Sequence, residues 1–302
     1  MVSIVSYNEE YKLGVLQCLK RNYEWMAKVS DDKLYDWVKP FLTYSFLESS
    51  LNVKPEYEFG QVILDDGNVV GYLGYIYVKR YYQNKPITYM TGTTWAIDEG
   101  YRIYMFKAFK AALKGVDICV DFTARESVRE MLTKVFKFKT YNDILYKFYP
   151  VICIGALNIR ISDICDSNQI NDEKVIVTYK DHQRYNVKCI KICVNNKNSF
   201  YVFYKTFRRK TKLFRNQCWV RILGVTDMGL FTKYIKNIIW WMQVHHFALV
   251  ECDANLCGKD VRSSSLVKST KVNRLVLNKN YEDFTPDLLY SEMAILEEKL
   301  CD

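Results

Sequence analysis

The residues best placed to do chemistry cluster where predicted strands meet predicted helices. Ile87–Ile97 reads as a strand rich in Thr and aromatic residues, and Tyr101–Lys114 reads as a helix that follows it almost directly. A helix that starts there presents unpaired backbone N–H groups, and these with the helix dipole make a place for an anion. Arg102 stands at the helix start and Lys107 about one turn on, so a pyrophosphate suits the position. A plain strand-to-helix connection with a solvated Arg is the alternative reading of the same residues. Two carboxylates, Glu99 and Asp121, fall at strand C-termini, where a cleft opens, and either suits a general base, with a solvated or capping carboxylate as the commoner reading of such a position. Glu251 and Asp253 end a comparable strand in the second half, where a structural role is favoured.

Other eye-catching residues point to chemistry less firmly. His245 and His246 adjoin Trp240 and Trp241, but neighbouring residues on a helix end point in different directions, which favours packing or capping. Lys205, Arg208, Arg209, Lys210, Lys212 and Arg215 place six cations in eleven residues, interleaved with Phe207 and Phe214. Such a turn suits the phosphate of a nucleotide-sugar or lipid-linked acceptor, an anionic membrane surface or a nucleic acid, and a solvated turn is the simplest reading. The ten Cys contain no C-x-x-C pair and the three His are His182, His245 and His246, so no zinc frame is expected.

Composition bounds these readings. The chain of 302 residues is 49% hydrophobic and 25% charged, with 12 Gly and 5 Pro, which excludes fibrous, coiled-coil and low-complexity classes. The net charge is +9, and residues 151–302 hold 23 of the 43 basic and 16 of the 34 acidic side chains. That bias attracts anionic partners but is milder than the dense patch of a nucleic-acid-binding domain. Scattered cysteines and an N-terminus without a cationic-then-apolar pattern fit a cytoplasmic protein. The most apolar stretch, 238–250, is interrupted by Gln243, His245 and His246, so no transmembrane segment is expected.

The elements that must position these residues follow from periodicity. Residues 10–29 and 31–47 read as helices, the second broken at Pro40. Strands are predicted at 60–64 and 69–78 around Asp66-Gly67, a strong hairpin turn. After the 101–114 helix, which Gly115 ends, come a strand at 116–122, a helix at 126–136 and a strand at 142–151. The second half repeats part of this order about 130 residues later: strands at 200–207 and 217–225, a helix at 230–244 and a strand at 247–253. Two copies of one supersecondary unit are the expectation, with a boundary between Pro150 and Asn171.

With these elements in order, the sequence resembles the GNAT acyl-CoA N-acyltransferase family. The resemblance runs from Val69-Val70-Gly71-Tyr72-Leu73-Gly74 through Gly92-Thr93-Thr94-Trp95-Ala96-Ile97 to Asp98-Glu99-Gly100-Tyr101-Arg102, and continues at Phe122-Thr123-Ala124 and Phe136-Lys137-Phe138. The two-copy layout and Leu289-Tyr290-Ser291-Glu292-Met293 look like bacterial members found with exopolysaccharide biosynthesis. The implied fold is α/β (α+β): two tandem GNAT-like halves, 1–155 and 156–302, each a mixed, mostly antiparallel sheet flanked by helices.

What the resemblance implies for the site is specific. Acetyl-CoA or another acyl-CoA is the co-substrate, with no metal. Its pyrophosphate falls to the residues in the place of the family's Arg-x-x-Gly-x-Gly/Ala turn, namely Arg102, Ile103, Tyr104, Met105, Phe106 and Lys107, although Met105 and Lys107 fill both glycine places. The pantetheine arm falls to the edge of Trp95, Ala96 and Ile97, with core packing as the other reading of Trp95. Strand splay beside 116–121 makes the acyl slot, which puts Asp121 ahead of Glu99 as the base. The acid, often a Tyr before the Gly-Phe pair, falls on Thr133, a poor acid, and Lys137 takes the Gly place. The second half, whose Asp227-Met228-Gly229-Leu230 lacks a basic residue, is expected to be a non-catalytic half that builds the acceptor wall. The implied function is acyl transfer to a small-molecule amine, an amino sugar among the candidates. A catalytically degenerate scaffold that binds a partner, and an aminoacyl-tRNA-dependent ligase, stay open as alternatives.

Overall fold

The computed structural model describes residues 1–43, 59–150, 158–209, 216–257, 267–281 and 284–296. The chain forms two compact units. The first contains Met1–Lys139 together with Leu275–Phe284 and Tyr290–Leu296, and the second contains Thr140–Arg274 with Thr285–Leu289.

In the first unit, β1 (Val2–Ser6) is followed by three helices: α1 (Lys12–Asn22), α2 (Glu24–Ala27) and α3 (Asp31–Thr43). Then come β2 (Gln61–Asp65), β3 (Asn68–Tyr82), β4 (Lys85–Ile97), α4 (Arg102–Ala112), β5 (Ile118–Asp121) and α5 (Glu126–Lys134). The β2–β3 turn is Asp66-Gly67, both at positive φ (46° and 82°), the geometry a two-residue hairpin demands. The β3–β4 turn repeats it with Gln83 and Asn84 at 47° and 63°. Helix α3 does not break at Pro40 but runs on to Thr43 among the described residues, although the proline has no amide to donate to the Asp36 carbonyl. Helix α4 buries Ala108, Phe109 and Ala112 and leaves Lys107 and Lys110 outside, as its sequence period requires.

The second unit contains β6 (Lys139–Phe148), β7 (Ile159–Ile164), α6 (Glu173–Gln183), β8 (Val187–Val194), β9 (Asn198–Arg209), β10 (Gln217–Val225), α7 (Met228–His246), β11 (Leu249–Asp253) and α8 (Ala254–Cys257). β12 (Val267–Asn278) crosses the division between the units, and α9 (Glu292–Ile295) belongs to the first.

The strands of the two units share one plan. In the first, β1, β2, β3 and β4 pair antiparallel in sequence order, β5 lies parallel to β4, and residues 275–278 of β12 lie antiparallel to β5. In the second, β7, β8, β9 and β10 pair antiparallel, β11 lies parallel to β10, and β6 lies antiparallel to β11. The strands of each unit are thus mixed and mostly antiparallel, with helices against them. Each core is ring-rich: Tyr75, Tyr77, Trp95 and Phe109 in the first unit, Phe200, Tyr204, Phe231 and Tyr234 in the second.

The division expected at residues 155 and 156 does not coincide with the observed one. The last strand of each unit is supplied from elsewhere in the chain: the strand after α5 joins β11, and the strand after α8 joins β5. The halves are therefore interleaved in sequence rather than strictly consecutive.

Three residues after the end of α5 the chain takes a left-handed conformation. Lys137 has φ +63°, and the Phe138 amide donates to the Leu132 carbonyl at 3.0 Å. Glycine carries no penalty in that conformation, whereas a side chain costs roughly 1 kcal/mol. Lys137→Gly should therefore raise stability by about 1 kcal/mol, read as a higher urea midpoint with an unchanged m-value.

Candidate active site in the first unit

The parallel β4–β5 pairing is short. It runs from Tyr89↔Ile118 to Gly92↔Asp121 and ends there. β4 continues to Ile97, held by β3 up to Gly71↔Ile97 across a bulge between Leu73 and Tyr75. Beyond Gly92 the β5 side of β4 is thus open, and the chain turns through Thr123 and Ala124 into α5. A cavity of about 150 Å³ lies in the opening. Tyr23, Trp25, Met26 and Trp37 wall it from the helical side, Thr93, Thr94 and Trp95 from β4, and Asp121, Thr123, Ala124, Arg125 and Val128 from the end of β5 and the start of α5.

Asp121 is buried, and its Oδ1 accepts the Thr123 amide at 3.0 Å. The Thr123 hydroxyl in turn donates to Glu292 Oε1 at 2.9 Å, tying this turn to the C-terminal segment of the same unit. Gly92 leaves little room here. A Cβ at that position would sit 3.3 Å from the Trp95 ring and 3.5 Å from Asp121 Oδ2, filling the gap between them.

The side chain of Trp95 does pack into the core, 4.8 Å from Phe109 between ring centroids, with its Nε1 donating to the Gly74 carbonyl at 3.3 Å. Its backbone carbonyl accepts a hydrogen bond from the Tyr23 hydroxyl. Burial pushes the Tyr23 hydroxyl above its ordinary range. The Arg125 guanidinium lies 4.3 Å from the centre of the Tyr23 ring. Ala96 is buried and Ile97 half-buried. Just beyond them Asp98 clamps the end of β4 to α1: Arg21 donates to its carboxylate at 2.6 Å and Asn22 at 2.9 Å.

The other expected residues fall as follows. Arg102–Lys107 are the first six residues of α4, so they are helical rather than a loop. By helix geometry the amides of Phe106 and Lys107 bond within the helix; of the first turn, the Tyr101 amide donates to the Asp98 carbonyl and the Tyr104 amide to the Tyr101 carbonyl, so those of Arg102 and Ile103 are the ones at the open end. That turn has no side-chain cap and no acidic residue, and Arg102, Ile103 and Lys107 are exposed, which keeps an anion-friendly end. Glu99 is exposed in the β4–α4 turn and does not line the cavity, so it is not brought to Asp121. Nor does Thr133 line it; the Thr133 hydroxyl donates to the Arg129 carbonyl within α5. Tyr23, Trp25, Trp37 and Arg125 do line it. In sequence Tyr23 and Trp25 read only as a helical stripe, and nothing local marks any of the four.

In the second unit the strand-end carboxylates are structural. Glu251 is fully buried, 2.5 Å from Arg221 and 3.5 Å from Arg209, and Asp253 takes Arg274 at 3.0 Å. His246 meets the Tyr204 hydroxyl at 3.0 Å and His245 stacks on Trp241, a packing arrangement. Of the basic run, Lys205 is buried and Arg208 exposed, while Lys210, Lys212, Phe214 and Arg215 lie outside the described residues. Among the described residues no helix is long and apolar enough to cross a membrane, and no cluster of His, Cys, Asp and Glu is arranged to hold a metal ion.

No protein-family model matches the sequence, and no curated protein matches it. Solved structures do match. A GCN5-related N-acetyltransferase from Anabaena variabilis ATCC 29413 superposes with a TM-score of 0.58 at 10% identity, over 91% of this chain and 72% of that one. A probable N-acyltransferase from Enterococcus faecalis V583 gives 0.56 at 9% identity, over 91% and 72%. The GCN5-related N-acetyltransferase of Kribbella flavida gives 0.56 at 10%, over 91% and 70%. The chain has the GCN5-related N-acetyltransferase (GNAT) fold. At this identity the likeness speaks for architecture, and the chemistry has to be argued from the residues.

β5 and β11 both carry acidic residues at their ends, and their surroundings separate them. Removing Glu251 leaves two cations beside a buried void, so Glu251→Ala should cost about 3–5 kcal/mol. Asp121, at a cavity wall, should tolerate Asn within about 1 kcal/mol. Thermal unfolding of the two variants beside the parent checks the contrast.

Proposed function

We propose that the first unit catalyses transfer of an acyl group from acyl-coenzyme A to a small-molecule amine. The observation that carries this is the parting of β4 and β5 at Gly92↔Asp121, with the carboxylate inside the opening. The GNAT fold supports it.

Acyl-coenzyme A supplies an activated thioester. The first-turn amides of α4, with Arg102 and Lys107, are the groups suited to hold its pyrophosphate, and the open edge at 93–97 is suited to its amide-bearing arm. The Trp95 carbonyl has two acceptor positions, so the Tyr23 hydrogen bond leaves one for such an arm. Asp121 takes the proton that the amine must lose as its nitrogen attacks. Tyr23, kept protonated by burial, is the hydroxyl in the cavity suited to return a proton to the departing thiolate, the role for which Thr133 is too far away. Direct transfer suits the thiols of this chain. Burial pushes Cys18 and Cys189 up to about 12, and Cys119, two residues before Asp121, well above its ordinary value, so none of these is a thiolate nucleophile.

One observation favours a catalytically degenerate scaffold instead: side chains fill both glycine places of the phosphate turn, which is wound into helix. Calorimetric titration with acetyl-CoA, with free coenzyme A and adenosine diphosphate as comparisons, separates the two readings. The enzyme reading expects micromolar binding that Arg102→Ala weakens by about tenfold. It also expects Asp121→Asn to lower kcat by about 10²–10⁴ while binding persists. No binding up to millimolar concentration would overturn it and favour the scaffold.

A further inference from the structure

The cavity holds a second charge that acyl transfer alone does not use. Arg125 lies four residues after Asp121, on the same turn, and lines the same cavity. Among the described residues it makes no ion pair; its guanidinium rests on the Tyr23 ring. Other arginines of this unit differ: Arg21 is clamped to Asp98 and Arg129 to Glu126. Stacking on a ring orients the planar fork while leaving its N–H edge for an anion, and a carboxylate matches that edge in two-point fashion.

A cation-binding carboxylate and an anion-binding guanidinium are therefore fixed by one short turn at one cavity. That arrangement matches a small molecule carrying an ammonium and a carboxylate close together. The remaining wall says what else it carries. Trp25 and Trp37 meet edge-to-face at 5.3 Å, and Met26 and Val128 complete an apolar side. The cavity, at about 150 Å³, is smaller than the roughly 300 Å³ at which ordinary ligand pockets begin, which suits one residue-sized acceptor rather than an oligosaccharide. An amino sugar offers a cation without an anion and leaves Arg125 unmatched.

We infer that the acceptor is a free α-amino acid with an apolar or aromatic side chain, its ammonium at Asp121 and its carboxylate on Arg125. This rests on the reading of the cavity as the acceptor site of an acyltransferase. The reaction then joins the α-nitrogen to the acyl carbon and breaks the carbon–sulfur bond. Of the two protons the ammonium loses, one leaves through Asp121 to solvent and one ends on the thiolate, giving an N-acyl amino acid and the free thiol.

The test is a binding titration followed by tryptophan fluorescence, without coenzyme, using phenylalanine and phenylalaninamide at about pH 6, where both amines are protonated and the two differ in the carboxylate. The parent protein should bind phenylalanine at least tenfold more tightly than the amide. Arg125→Gln should abolish that difference by weakening the acid alone, and Arg125→Lys should restore part of it; Arg125 is exposed, so both variants should fold. Thiol release from acetyl-CoA should show the same order, with the change in KM rather than kcat, and glucosamine should be a poorer acceptor than phenylalanine. Equal binding of acid and amide, no binding of either, or loss of both on Arg125→Gln would overturn the inference. Selective binding of phenylalanine without acyl transfer would sustain the amino-acid site and sink the acyltransferase reading.

Discussion

The site depends on where one ladder of hydrogen bonds stops. β4 and β5 share four register pairs, and at the fourth, Gly92↔Asp121, β5 turns away while β4 keeps its partner on the other side. Backbone groups of β4 beyond that point lose a neighbour in the sheet, and buried N–H and C=O groups must be satisfied by something else. Tyr23 takes the Trp95 carbonyl from the helical side. An incoming ligand with amide groups can satisfy others as an added strand would. Asp121 ends up in the opening for the same reason: it is the last residue of β5, and the Thr123 amide that turns the chain away also fixes its carboxylate.

The same plan with different end groups gives a different outcome in the second unit. β10 and β11 also run parallel, and β11 also ends on acidic residues. There Arg221, Arg209 and Arg274 neutralise the carboxylates in buried pairs. One topology thus carries a carboxylate at a cavity wall in one copy and arginine-paired carboxylates in the other.

Local patterning made most of the fold legible. The Asp66-Gly67 turn, the helical face of Ala108, Phe109 and Ala112, and the repeat at about 130 residues each follow from a period or a turn that neighbouring residues enforce. The exchange of last strands was not legible, because β6 and β12 are chosen by partners far away in sequence, and nothing within 139–148 says that it pairs with 249–253. β12 itself has no apolar run at its start: Lys268, Ser269, Thr270 and Lys271 are exposed, and its buried stretch is confined to Arg274–Val276. In the site, Asp121 could be found because a strand end is a local feature. Tyr23, Trp37 and Arg125 could not, since each reaches the cavity from a different element and only the packing of α1–α3 against β4 assembles them.

The phosphate turn shows how a resemblance carries position without carrying geometry. A glycine-rich turn lets backbone amides converge on an anion because nothing projects from the chain. Met105 and Lys107 have instead been drawn into α4, where good helix formers gain an intrahelical bond for every residue fixed. The cradle is thereby reduced from a ring of amides to the first turn of a helix, whose dipole still favours an anion but by only about 0.3–1 kcal/mol when exposed. The rest of any affinity for a pyrophosphate has to come from side-chain charge. Arg102 at the first helical position and Lys107 within the next turn, both exposed and with no acidic residue in the first turn, are placed to supply it. Such a site would be more sensitive to salt than one built from backbone amides, since exposed charges are screened and buried dipoles are not.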